Sequence, residues 1–65
     1  MKIIRLPTVL AVTGLSRATI YRLMTKKQFP RAIELGPRSC GWIEAEVGEW
    51  ISQRIEARNQ KYNLT

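Results

Sequence analysis

The sequence predicts an α+β chain that is mostly helical: three helices, with a short two-stranded β-hairpin between the second and the third. Three observations predict it. Two short helical patterns stand on either side of Thr13, Gly14, Leu15 and Ser16. Two short apolar runs stand on either side of a turn-rich stretch, Gly36 to Gly41. Val47, Trp50, Ile51 and Ile55 then recur at spacings of three and four, the period of a helix with one buried face.

The first helix is expected over residues 7–12, where Pro7 suits the first helical position because no N–H is needed there and φ is preset. Gly14 can take the left-handed conformation that ends a helix. Ser16 is a good N-cap for the second helix, its oxygen accepting from an N–H that has no partner within the helix. From Arg17 to about Gln28, the residues Ile20, Leu23, Met24 and the stem of Lys27 share one face, and Pro30 stops the pattern. Ile33 and Leu35 alternate with Ala32 and Glu34 as in a half-buried strand, and Trp42 and Ile43 resume the apolar pattern beyond the turn. A hairpin over residues 31–43 is barely stable alone, so it has to lean on the helices. The last helix is expected over residues 44–58, with Glu44, Glu46 and Glu49 where the helix dipole favours negative charge. Residues 59–65 carry no pattern and are expected to fray. Trp50 lies on the apolar stripe of that helix, Trp42 ends a strand facing it, and Phe29 is placed to plug the space between the second helix and the hairpin. These aromatics read as core; the alternative is stacking platforms for single-stranded nucleic acid.

At 65 residues the chain is expected to be one domain, and a domain this small buries only roughly 60% of the surface its unfolded form exposes. One cysteine, Cys40, and no histidine exclude an internal disulfide and a zinc finger, and leave Cys40 without an imidazole base. No catalytic pair or cofactor motif can be assembled, so an enzyme is not expected. The apolar part of residues 1–5 is too short for a signal peptide and no apolar run reaches the ~20 residues of a membrane span. The chain is therefore read as cytoplasmic and nucleoid-associated. Its net charge is +6. Residues 1–43 hold eight Lys/Arg and one acid, Glu34, for +7; residues 44–65 hold three Lys/Arg and four Glu, for −1. A polyanion would meet the N-terminal two thirds.

Two short helices joined by Thr13, Gly14, Leu15 and Ser16 form a helix-turn-helix pattern, whose second helix enters the major groove of DNA. Once Ile20, Leu23 and Met24 are assigned to the core, Ala18, Tyr21, Arg22 and Thr25 point away from it, flanked by Arg17, Thr19 and Lys26. Arg can grip guanine, Thr or Ala can touch a thymine methyl, and Tyr can bond a phosphate. A merely solvated face would carry similar cations, but it would ordinarily carry acids too, and residues 1–33 contain none. The turn Pro37, Arg38, Ser39 is a second candidate contact, as a wing tip reaching a neighbouring minor groove or backbone. Lys2, Arg5 and Lys27 are further cations able to join such a face.

The run Thr13-Gly14-Leu15-Ser16-Arg17-Ala18-Thr19-Ile20-Tyr21-Arg22-Leu23 resembles the helix-turn-helix of the AlpA family of prophage regulators. Phe29-Pro30, Leu35-Gly36-Pro37-Arg38-Ser39, Gly41-Trp42 and Glu46-Val47-Gly48-Glu49-Trp50-Ile51 are similar to that family in order and spacing, so the resemblance covers about residues 4–58. It implies an excisionase- and MerR-like winged helix-turn-helix. It places Ser16, Arg17, Thr19, Tyr21 and Arg22 on or capping the recognition helix, Arg38 and Ser39 in the wing, and Trp42, Val47 and Trp50 in structural roles. It further implies regulation of phage or mobile-element genes through double-stranded DNA. RNA polymerase or an integrase are the protein partners left open, and the association expected is a monomer or weak side-by-side binding on DNA. Without a long dimerisation helix or a ligand domain, effector sensing is not expected. An architectural role at an attachment site and a protein-binding adapter remain the alternatives.

Overall fold

The computed structural model describes residues 1–62. Its elements run β1 (Ile3–Ile4), α1 (Leu6–Thr13), α2 (Arg17–Thr25), β2 (Ile33–Gly36), β3 (Ser39–Ile43) and α3 (Glu44–Tyr62). The three helices and the hairpin are those the sequence predicts, and the fold is the expected winged, mostly helical α+β arrangement. The sheet has a third strand that the sequence did not announce, because β1 pairs antiparallel with β3 in the order β1-β3-β2. A two-residue strand is shorter than the period that would reveal it, and its N–H and C=O groups are satisfied only through tertiary pairing.

The turn between α1 and α2 follows from its side chains. Gly14 takes φ 72 and its N–H donates to the Leu10 carbonyl at 2.8 Å, closing α1. Thr13 Oγ1 donates to the Val9 carbonyl at 2.7 Å and accepts from the Leu15 N–H at 3.2 Å. Ser16, in extended conformation, then caps α2.

Helix α2 ends three residues before the predicted Gln28, and Pro30 is not what stops it. Lys27 adopts φ 60; its N–H donates to the Met24 carbonyl at 3.0 Å and the Gln28 N–H to the Leu23 carbonyl at 2.8 Å. This is a Schellman termination with lysine where glycine is usual, so no glycine marks it in the sequence. Helix α3, by contrast, runs past the predicted residue 58 to Tyr62. Of the segment expected to fray, residues 59–62 are helical and residues 63–65 lie outside the described residues.

Six side chains form the buried core: Ile4, Val9, Ile20, Phe29, Trp42 and Val47. They come one from each of β1, α1, α2, the α2–β2 link, β3 and α3, so every element except β2 places a side chain in the core. Both tryptophans hold that link. Trp42 Nε1–H donates to the Pro30 carbonyl at 3.1 Å and Trp50 Nε1–H to the Gln28 carbonyl at 2.8 Å. Phe29 meets Trp50 edge-on, ring centroids 4.9 Å apart. Trp42 is fully buried and Trp50 half-buried at the core's margin, as the core reading of both expected. Ile55 ends the apolar stripe in solvent. Strand β2 is turned over relative to the expected alternation: Ala32, before it, packs against the core, whereas Ile33 is half-buried and Leu35 exposed on the sheet's outer face. Register places Ile3, Ile43, Ile33 and Gly41 on it, and Ile3 is 39% and Leu35 44% exposed.

Candidate nucleic-acid interface

Helix α2 presents its second face to solvent because Ile20 is buried, with Leu23 and Met24 packed against the core beside it. Arg17, Ala18, Tyr21, Arg22, Thr25 and Lys26 are exposed and Thr19 is half-buried. The exposed face is internally ordered. Ser16 Oγ accepts from the Thr19 N–H at 3.2 Å and donates to Thr19 Oγ1 at 2.9 Å. An Arg22 Nη donates to the same Thr19 oxygen at 3.5 Å, and Thr25 Oγ1 donates to the Tyr21 carbonyl at 3.0 Å. The Arg17 guanidinium lies 5.5 Å from the centre of the Tyr21 ring, within cation–π range. Two arginines are thereby partly oriented before any ligand arrives, which lowers the entropy lost on binding.

The wing tip is a two-residue turn, Pro37 and Arg38, between paired Gly36 and Ser39. A register shift between Glu34 and Gly36 twists the strand that leads into it. Proline fixes φ near −65° at the first turn position, and Arg38 follows at φ 59, a conformation that glycine or asparagine usually supplies. Its side chain is exposed, and Ser39 is half-buried at the start of β3.

An open groove of about 570 Å³ lies between the two halves of this surface. Arg17 and Tyr21 of α2 line one side, Arg38 and Ser39 of the wing another, and Arg5, Leu6 and Pro7 close it at the start of α1. Thus the structure brings together four of the ten residues that the sequence singles out. Ser16, Ala18, Thr19, Arg22, Thr25 and Lys26 lie along α2 outside the groove. Two charged groove residues stand outside that set of ten: Arg5, which the sequence offers only as a further cation able to join the face, and Glu34, which it does not single out. Arg5 enters it because β1 pins the chain against β3 just before α1. Lys2 instead pairs with Glu44 at 3.7 Å, both side chains well exposed.

Residues 2–55 match the family described as prophage CP4-57 regulatory protein (AlpA). The chain belongs to that family. Among AlpA relatives, a protein of Escherichia coli (strain K12) described as DNA-binding transcriptional activator AlpA is 48% identical over 62 residues, covering 86% of this chain and 89% of the relative. An uncharacterized protein of Enterobacteria phage P4, designated ORF88, is 39% identical over 62 residues, covering 95% of this chain and 70% of the relative. The AlpA match thus spans the helix-turn-helix, the wing and the first half of α3, the parts that build the groove and its support.

Proposed function

We propose that this chain is a single-domain, sequence-specific double-stranded DNA-binding protein that regulates transcription of a prophage or mobile element. In this reading α2 lies in the major groove with Arg17, Ala18, Tyr21, Arg22 and Thr25 toward the bases. Ser16, Thr19 and Lys26 flank them, and Arg38 and Ser39 reach the adjacent backbone or minor groove. The observation that carries it is the shared groove: Arg17 and Tyr21 of the helix and Arg38 of the wing converge on one cationic surface. The description of the E. coli relative as a DNA-binding transcriptional activator supports the same reading. The role is binding rather than catalysis, exercised in the cytoplasm at the nucleoid. The chain acts as a monomer or in weak side-by-side association on DNA, with RNA polymerase or an integrase as the protein it meets there.

The test is a gel-shift titration against promoter and attachment-site DNA of the encoding element, beside a scrambled duplex. A discrete complex on the promoter, absent from the scrambled duplex, is the expected result. An array of complexes on the attachment site alone would make the protein an architectural excision factor. Failure to bind any duplex at low salt would leave a protein-binding adapter.

A further inference from the structure

The cationic groove between α2 and the wing contains one acid. Glu34 is the only carboxylate in residues 1–43, and it lines that groove with Arg5, Arg17 and Arg38. Register puts it there. Glu34 pairs with Cys40 and Trp42 with Ile4, so the side chain of Glu34 leaves the sheet on the face that, further along, covers the core. Cys40 still packs against the core there, but β2 is the edge strand of the sheet, and Glu34 is exposed. No cation neutralises it: Glu34 has no ion pair among the described residues. The fold gains nothing evident from it, since glutamate is a poor strand former and this one makes no side-chain hydrogen bond.

For a surface that binds phosphates, an unpaired carboxylate in the middle is a cost unless it meets a donor. It lines the same groove as Arg17 and Tyr21 of the first turns of α2, which the proposed function sets against the bases, and a carboxylate on base edges accepts from the cytosine N4 amino group. We infer that Glu34 is a specificity-determining residue, an inference that rests on the DNA-binding reading above. Its carboxylate accepts from cytosine N4 at one position of the site. It repels duplexes that offer no amino donor there, because the charge is then left desolvated beside phosphates.

The test uses Glu34→Gln, which removes the charge but keeps an acceptor, and Glu34→Ala, which removes both. Wild-type protein first selects duplexes from a random library. Dissociation constants are then measured by fluorescence anisotropy for the selected duplex and a scrambled one, at several salt concentrations. Both variants should bind scrambled DNA more tightly, with a salt slope steeper by about one. Glu34→Ala should lose roughly 5- to 150-fold of the wild-type ratio of selected to scrambled affinity, the span of one base contact. Repeated selection with Glu34→Ala should lose a cytosine preference at a single position. Equal shifts on both duplexes with an unchanged selected motif, or no shift on either, would overturn the inference while leaving DNA binding intact. Wild-type protein that selects no motif, or binds no duplex, would overturn the parent reading and this one with it. Because Glu34 is exposed, thermal melting of both variants should match wild type, so altered binding is not a folding defect.

Discussion

Arg38 occupies a backbone conformation that costs an arginine something and a glycine little. Its φ of 59 lies in the left-handed region, and a non-glycine residue held in such a region costs on the order of 1 kcal/mol or more. An exposed side chain on a turn contributes little to the fold, so the fold does not offset that strain, and the proposed function gives the guanidinium a DNA contact there. Arg38→Gly should therefore raise the melting temperature by a few degrees and weaken duplex binding at the same time. A variant that melts higher and binds as before would remove Arg38 from the interface. Gly41 shows the opposite constraint. A Cβ there would lie 2.5 Å from Ile3 Cγ2 and 3.1 Å from the Ile4 carbonyl oxygen, because β1 crosses directly beside it. Gly41→Ala should cost about 1–3 kcal/mol by overpacking, and Ile3→Ala in the same chain should recover part of it. Chemical denaturation of the four proteins of that cycle measures the coupling, and strictly additive effects would mean the two residues do not touch. On α2, Arg17 and Arg22 are held by different neighbours, the Tyr21 ring and the Thr19 hydroxyl. Replacing either by Ala should cost ~1–3 kcal/mol on a specific duplex if it reads a base. Equal losses on specific and scrambled DNA would limit it to phosphate.

The elements differ in how plainly their residues declare them. Gly14 and Ser16 end one helix and start the next by mechanisms that need only the residue itself, so the helix-turn-helix was legible. Ser16→Ala should cost about 1 kcal/mol, as loss of an N-cap does, and should also free the Thr19 hydroxyl that Arg22 leans on. Gly14→Ala meets no neighbouring atom within 4 Å, so its cost, also about 1 kcal/mol, is that of forcing a side chain into the left-handed region. Thermal melts of both should fall by several degrees for a domain of this size; an unchanged Gly14→Ala would mean that α1 ends otherwise. The far end of α2 was not legible, because a lysine performs the glycine's part there. The extension of α3 to Tyr62 was not legible either, since residues 59–62 carry no apolar spacing and rely on helix propagation from Trp50 and Ile51. Strand β1 was hidden because pairing with β3, not local pattern, makes Ile3–Ile4 a strand. That omission had a consequence for the site. Without β1 nothing in the sequence fixed Arg5 beside Arg17 and Arg38, and nothing brought Glu34 into the same groove. The α2 face and the wing tip were readable from periodicity, turn chemistry and family resemblance; their convergence was a tertiary fact.

At the scale of the molecule, the spacing between α2 and the wing is set by the link at residues 28–30. Two indole N–H groups grip its carbonyls and Phe29 is buried beneath it. The helix and wing can thus meet a rigid duplex as one surface, and the cations on that surface should act together. Arg5, Arg17, Arg22, Lys26 and Arg38 are all exposed, whereas Lys2 is engaged with Glu44. If these five each neutralise a phosphate, log K should fall with log salt at a slope of roughly −4 to −5, about −0.9 for each counterion released. Helix α3 carries a different charge: its Glu44, Glu46 and Glu49 precede Arg54 and Arg58, and Arg58 is bonded to Asn59 Oδ1 at 2.9 Å. Charge reversal at Arg17 or Arg38 should therefore flatten the slope by one or more. The same reversal at Arg54 or Arg58 should scarcely change it. Titrations of one duplex at four or five salt concentrations, for wild type and these four variants, measure all of this without knowledge of the operator. A wild-type slope near zero would remove the groove as a phosphate-binding surface, and one governed by Arg54 and Arg58 would move the interface to α3.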